Sequence, residues 1–156
     1  MISRPEVVAL REAYSAYARA PRDEAAADDI RPLVCHVVDV MKADHHGSWD
    51  ANGISMLANL RPRVIVVDSR ADGHPAVDTY ERMTSRKLWP GDRDIFVTNV
   101  SPATSQTTYG IEKAMSTQGH IVIRVAPGGV SYRIFVLEDD DEEMRVKAVF
   151  GTYESR

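Results

Sequence analysis

The chain has 156 residues, of which 44% are hydrophobic and 27% are charged, a composition typical of a globular domain with a buried core. Its net charge of −4 argues against a nucleic-acid partner held by bulk electrostatics, and its single cysteine excludes an internal disulfide and a Cys-rich zinc knuckle. No stretch approaches the ~20 apolar residues of a membrane span, and the N-terminus lacks the apolar core of a signal peptide. These features predict a cytoplasmic protein with no membrane partner.

Hydrophobic spacing predicts helices that alternate with buried strands through the first half of the chain. Apolar residues recur at helical spacing near the N-terminus, whereas two later runs are almost continuously β-branched. In chain order, the expected elements are a helix over 3–21, a strand over 33–41, a helix from Ser48 or Asp50 to Pro62, a strand over 64–67, and a helix from Pro75 to about Arg86. This order predicts an α/β fold with parallel strands and crossover helices.

Beyond Trp89-Pro90-Gly91 the pattern changes to short strands separated by polar turns. In chain order, the expected elements are a strand over 94–99, a polar Ser/Thr loop over 101–108, and strands over 119–125, 132–137 and 145–150. Pro127-Gly128-Gly129 and the acidic run over 138–143 supply the turns between the last strands. The pattern predicts a main domain over residues 1–125 and a β-hairpin extension over residues 126–156 that packs on it.

Three of the five histidines lie in two loops that directly follow predicted strands. Asp44-His45-His46-Gly47-Ser48 follows the first strand, and Gly73-His74-Pro75 follows the second. Imidazole is the commonest protein ligand of zinc, and a carboxylate beside two histidines is frequent ligand chemistry. Ligands of open α/β sheets bind at the carboxyl ends of strands, so both loops are expected to open on one face. These residues predict a metal-dependent hydrolase site, whereas His36, within a strand, is expected to be a packed core residue.

The segment Val40-Met41-Lys42-Ala43-Asp44-His45-His46-Gly47-Ser48 resembles the LKxxHHGS segment of metallo-β-lactamase-fold hydrolases. The similarity is greatest to the branch of the cytoplasmic domains of DNA-uptake competence proteins. The next helix and strand, Gly73-His74-Pro75 and a strand from Gly119 follow the order of that branch, so the resemblance covers about residues 33–125. It implies that residues 1–125 form the C-terminal half of an αββα sandwich and that residues 126–156 form a β-rich extension.

The resemblance also implies roles for the residues of the two loops. In that family two metal ions, usually zinc, activate a water for attack on an ester, amide or phosphodiester. By position, His46 is implied as a ligand of the second metal. Asp44 stands where the family often has a small or apolar residue, and is implied as a metal-site carboxylate that orients an imidazole. His45 and His74 are implied as catalytic contacts to substrate or leaving group, and the roles of His45 and His46 are interchangeable at this stage.

The family's HxHxDH motif and its bridging aspartate have no counterpart in residues 1–43. The resemblance therefore predicts an incomplete two-metal site in a truncated, split or decayed copy of the fold. A missing N-terminal half or a homo-oligomer is the expected partner, because half a sandwich leaves an apolar face uncovered.

Three functions compete on these grounds. The first is a metal-dependent hydrolase of a small-molecule or phosphodiester substrate, active once the missing half completes it. The alternative is a non-catalytic binding or structural module. A nucleic-acid-binding module ranks third, because it depends only on the arginines in the middle of the chain.

Overall fold

The computed structural model describes residues 37–156. The predicted N-terminal helix, most of the first predicted strand, Cys35 and His36 lie outside the described residues. In chain order, the elements are β1 (Val40–Lys42), α1 (Ile54–Leu60), β2 (Val64–Val67), α2 (Val77–Thr84), β3 (Asp94–Val97), α3 (Pro102–Thr107), β4 (His120–Val125), β5 (Ser131–Leu137) and β6 (Val146–Glu154). None of the helices within residues 37–156 is long and apolar enough to cross a membrane.

The strands form two three-stranded sheets. In the first, β1, β2 and β3 are parallel and lie in that order, with Val40 opposite Val64 and Val64 opposite Asp94. In the second, β4, β5 and β6 form an antiparallel meander. The predicted α/β class and the parallel arrangement of the first strands are confirmed.

The two sheets and the helices form three layers. Leu57 of α1 and Tyr80 and Met83 of α2 pack on one face of the parallel sheet. On its other face, Phe96 packs with Ile134 and other residues of the antiparallel sheet. Each face of the parallel sheet is therefore buried, as the nearly continuous apolar strands require. The second face of the antiparallel sheet is exposed within the described part of the chain.

Several predicted boundaries are wrong in the region of the histidine loops. The first strand does not include residues 37–39, and the helix expected to begin at Ser48 or Asp50 begins after Gly53. The intervening residues form a tight loop instead, because Asn52 uses its side chain to bind the backbone of Asp44 at both its N–H and its carbonyl, each at 3.0 Å.

The Ser/Thr segment over 101–108 was expected to be a loop and contains α3 instead. Ser101 caps this helix by accepting a hydrogen bond from the Thr104 N–H at 3.2 Å, and Pro102 occupies the first turn, where no N–H is needed. Strand β6 also extends beyond Phe150 to Glu154. The division of the chain at residue 125 falls between β4 and β5 and stays a prediction.

Tyr153 of β6 connects the antiparallel sheet to the parallel sheet at one end. Its hydroxyl donates to the Asp94 carboxylate at 2.7 Å, and Arg63 contacts the same carboxylate at 3.0 Å. Burial, followed by the hydrogen bond and charge of Asp94, raises the pKa of Tyr153 above its usual value. The neutral hydroxyl therefore stabilises the fold below the unfolded pKa of about 10, and this stabilisation is lost as the pH rises further.

We expect Tyr153→Phe to flatten the loss of stability above about pH 10, because the variant has no hydroxyl to ionise at this position. Urea unfolding measured at intervals between about pH 8 and 12 provides the comparison with the native chain. The matched control is Tyr109→Phe, because the ring of Tyr109 is exposed. Identical pH profiles for Tyr153→Phe and the native chain would contradict the assignment.

Candidate functional site

The two histidine loops meet at the carboxyl edge of the parallel sheet. The ring centroids of His45 and His46 lie 6.3 Å apart, those of His45 and His74 lie 6.4 Å apart, and those of His46 and His74 lie 6.2 Å apart. Three imidazoles from two loops therefore form a nearly equilateral triangle. This is the convergence expected from the ends of two adjacent parallel strands.

The first loop has an unusual backbone that places both of its histidines. His45, His46 and Gly47 have consecutive positive φ angles of 46°, 56° and 77°. Two non-glycine residues in this region cost free energy, and such conformations persist only where the surrounding structure holds them. The side chain of Asn52 clamps the loop at Asp44, and the Gly47 carbonyl accepts a hydrogen bond from the Ala76 N–H at 2.8 Å.

Helix α2 holds the end of the same loop through Arg82. The guanidinium donates to the carbonyls of Trp49 at 3.1 Å and Ala51 at 3.0 Å, and to the Thr79 hydroxyl at 2.7 Å. Thr79 in turn donates to the Ser48 carbonyl at 2.8 Å. Arg82 therefore ties the loop to α2 and fixes the direction in which the histidines project.

Gly47 joins the first loop to the second. A Cβ at this position would lie 2.8 Å from the Pro75 Cβ and 3.2 Å from its Cα, so only glycine fits. The residue before this proline is His74, whose carbonyl accepts a hydrogen bond from Ser69 at 2.7 Å. The close approach of Gly47 and Pro75 brings the three imidazoles together.

The hydrogen bonding of His46 fixes its tautomer. Its Nδ1 lies 2.6 Å from the Asp68 carbonyl oxygen, which can only accept, so Nδ1 carries the proton. The lone pair of Nε2 is then free to bind a metal ion, in the arrangement common for metal-binding histidines. The Asp68 carboxylate lies 3.4 Å from the same Nδ1 and 2.9 Å from the Lys42 ammonium.

His45 has a carboxylate partner of its own. Its Nδ1 lies 3.4 Å from the Asp50 carboxylate. The hydrogen bond from Ser48, with a smaller contribution from the charge of His45, lowers the pKa of Asp50 below its usual value. Asp50 is therefore ionised at neutral pH and positioned to orient the ring of His45, whose other nitrogen, Nε2, points away from this contact.

The structure places Asp44 differently from the two aspartates that contact histidines. Among residues 37–156, no imidazole nitrogen lies within 4.0 Å of the Asp44 carboxylate, which is exposed. Sequence reasoning missed Asp50 and Asp68 as partners of His45 and His46. A usable signal existed for Asp68, because it directly follows β2 and so lies at the same sheet edge as the predicted site.

The donor chemistry of the three histidines fits zinc, whereas their spacing is too wide for a closed site. With Zn–N bonds of about 2.0–2.1 Å, the centroids of three rings around one zinc would lie about 5–5.5 Å apart. The observed separations of 6.2 to 6.4 Å exceed this range by about an ångström. Accordingly, within the described residues no three His, Cys, Asp or Glu side chains are arranged to hold a metal ion. The cluster is an open arrangement of ligands.

Comparison with known proteins yields no match: no family model, curated protein or solved structure matches the chain. The resemblance to metallo-β-lactamase-fold hydrolases therefore depends on the residues of the two histidine loops and on the order of the elements around them.

Proposed function

We propose that this chain supplies the histidine part of a metal-dependent hydrolase site of the metallo-β-lactamase type. The observation that carries the proposal is the triangle of three imidazoles at the carboxyl edge of a parallel sheet, with the His46 Nε2 lone pair left free. Bound zinc would lower the pKa of a water molecule so that the water can attack the substrate. It would also polarise the ester or phosphodiester group by binding its oxygen.

Each histidine has a role that its contacts support. His46 holds the metal ion through Nε2, and the Asp68 carbonyl keeps its ring oriented. His45, held by Asp50, presents Nε2 to the substrate. His74 projects from the second loop, opposite both, and contacts the leaving group, where an imidazole can donate a proton. Asp44 takes no part in this arrangement, because its backbone is clamped by Asn52 and, among the described residues, its carboxylate contacts no imidazole.

The wide spacing supports a site that is completed by further ligands from a partner. The layers of helices, parallel sheet and antiparallel sheet are compatible with three of the four layers of an αββα sandwich, so an uncovered face remains only on the antiparallel sheet of the described residues. Val122 and Val149, on the uncovered face of the antiparallel sheet, are exposed to 42% each. An N-terminal half encoded elsewhere, or a second copy of the chain, is the partner that this face would accept. The substrate class, a small molecule or a phosphodiester, follows from the resemblance.

Metal titration of the full chain tests the proposal. We expect the chain alone to bind zinc detectably but weakly in calorimetry, because His46 is the one imidazole that the proposal assigns to the metal ion and the remaining ligands come from the partner. His46→Ala should weaken binding by about tenfold or more, since it removes the one histidine whose tautomer is fixed for coordination. His120→Ala is the matched control, because His120 is exposed on β4, outside the cluster. Zinc binding that is absent, or equally sensitive to both variants, would refute the proposal.

The open spacing of the imidazoles also favours one alternative, a non-catalytic binding module that retains the fold. Zinc-dependent cleavage of bis(p-nitrophenyl) phosphate by the chain mixed with its completing partner, lost in His46→Ala, distinguishes the hydrolase. If the chain takes up no metal, and if His45→Ala and His46→Ala leave its partner binding unchanged, the non-catalytic module is the correct function.

A further inference from the structure

A cavity of about 350 Å³ lies at the end of the parallel sheet opposite to the histidines. The last turn of α2, the first residues of β3 and the 109–115 segment enclose it. Asp94 and Ile95 begin β3, whereas the histidine loops follow the last residues of β1 and β2, and in a parallel sheet these are opposite edges. Its volume falls within the range of roughly 300–1,000 Å³ that is common for small-molecule sites.

The lining of this cavity combines apolar, aromatic and polar side chains. Ile95 and Met115 contribute apolar surface, and Tyr80 is held in place because its hydroxyl donates to the Gly110 carbonyl at 3.1 Å. Tyr109 lines the same cavity, yet its ring is exposed to 88%. The Lys113 ammonium lies over the Tyr109 ring, 5.8 Å from its centre, and the exposed ring offers its other face for a planar ring to stack on.

Three cationic side chains also line the cavity: Arg86, Arg93 and Lys113. The Arg93 guanidinium lies over the Trp89 ring at 3.8 Å and donates to the Ser85 carbonyl at 2.7 Å. Its hydrogen-bond partners in the described part of the chain are all neutral carbonyls, so they orient its charge without neutralising it. Burial, and then the charge of Arg86, lowers the pKa of Arg93, while the charge of Asp92 acts in the opposite direction.

One acidic residue near the cavity is fully paired, whereas a second, Glu112, acts on the cavity wall: burial and then the charge of Glu112 raise the pKa of Tyr80. Asp94, the one acidic residue among its described lining, binds Arg63 at 3.0 Å and the Tyr153 hydroxyl at 2.7 Å. Asp92 lies 3.5 Å from Arg86, and both side chains are largely exposed, so water and salt screen this contact. With Asp94 bound to Arg63, the three cations of the cavity stand against the two carboxylates of Asp92 and Glu112, which leaves a net charge of one positive.

We propose that this cavity binds a small phosphate monoester that carries a planar ring. The ring stacks on Tyr109, and the phosphate oxygens face Arg86, Arg93 and Lys113. These three cations together offer more hydrogen-bond donors than the two oxygens of a carboxylate can accept, which favours a phosphate. This ligand site is separate from the proposed hydrolase site and goes beyond it, because neither the histidines nor a metal ion contributes to it.

Calorimetry with phenyl phosphate, on the full chain in low salt with a chelator present, tests the proposal. Inorganic phosphate supplies the anion alone and phenol supplies the ring alone, and each is expected to bind about tenfold more weakly or worse. The double variant Arg86→Gln/Lys113→Gln should raise the Kd for phenyl phosphate by about tenfold. Tyr109→Ala should weaken phenyl phosphate and leave inorganic phosphate unchanged, since only the ring contacts Tyr109.

Two controls separate this site from other cationic surfaces and from the histidines. Arg124→Gln removes an exposed cation on β4, and His46→Ala removes the fixed imidazole of the other site; both should leave the Kd for phenyl phosphate unchanged. Binding that survives the Arg86→Gln/Lys113→Gln variant, that falls in His46→Ala, or that is no tighter than binding of inorganic phosphate would overturn the proposal. Arg86 and Lys113 are exposed, so thermal unfolding should show an intact fold in the double variant.

Discussion

Replacing Gly47 with alanine is expected to destabilise the chain by about 2–5 kcal/mol and to abolish zinc binding. The residue has a φ of +77°, which costs an L-residue about 1–2 kcal/mol. The new methyl group would also lie 2.8 Å from the Pro75 Cβ, and a clash of this kind costs about 1–3 kcal/mol. Relief of the clash must move Gly47 away from Pro75, and His46, the adjacent residue and the proposed metal ligand, moves with it. Urea unfolding measures the first effect and zinc calorimetry measures the second.

Gly73→Ala is the matched control for this prediction. Gly73 lies in the second histidine loop and has a φ of +75°, but no atom lies within 4 Å of the position that its Cβ would take. The backbone cost is therefore shared, the clash is absent, and we expect a loss of about 1–2 kcal/mol with zinc binding retained. Equal losses in the two variants would mean that the contact between Gly47 and Pro75 does not hold the loops together.

The meeting of the two histidine loops was predictable because it follows from local patterns. The β-branched run at Val64–Val67 identifies a buried strand, and Gly47 and Pro75 identify the turns after two such strands. Once two strands of this kind alternate with helices, parallel pairing is the expected outcome, and their carboxyl ends share one edge. Position along the chain was therefore sufficient to place His45, His46 and His74 together.

The sheet edge at which Asp68 lies was predictable, but its pairing with His46 was not. His46 contacts Asp68 across 22 residues, and no local spacing indicates which of several aspartates contacts which ring.

Helix α3 was also difficult to predict from sequence. Its Ser/Thr composition favours a loop, but Thr104 is buried and accepts a hydrogen bond from the Gly73 N–H at 2.9 Å. Tertiary contacts thus override the weak helix propensity of this segment.

The helix that was missed also bears on the proposed site. Through Thr104, α3 fixes the residue before His74, while Arg82 of α2 fixes the residues after His46. The two loops are therefore held from separate elements of one packed layer, and only the side-chain torsions of the histidines remain free to adjust.

Replacing Phe96 with alanine is the second change with a large expected effect. Phe96 lies on β3, is fully buried, and meets the Phe150 ring of β6 edge to face with centroids 5.1 Å apart. Removing a buried phenyl group costs about 3–5 kcal/mol, a large part of the roughly 5–15 kcal/mol that stabilises a typical domain. We therefore expect Phe96→Ala to unfold at much lower urea concentration than the native chain, or to be unfolded without urea.

A milder pair of variants tests whether this loss arises from contact between the sheets. Phe96→Leu and Phe150→Leu each keep an apolar side chain, and the double variant closes a thermodynamic cycle with the native chain. We expect a coupling energy of about 0.5–1.5 kcal/mol, since both changes remove the same edge-to-face contact. Val122→Ala, on the uncovered face of the antiparallel sheet, should change stability by no more than about 0.5 kcal/mol. If the Phe96 and Phe150 effects are simply additive, the two sheets do not pack through these rings, and the three-layer arrangement on which the proposed half-sandwich depends loses its main support.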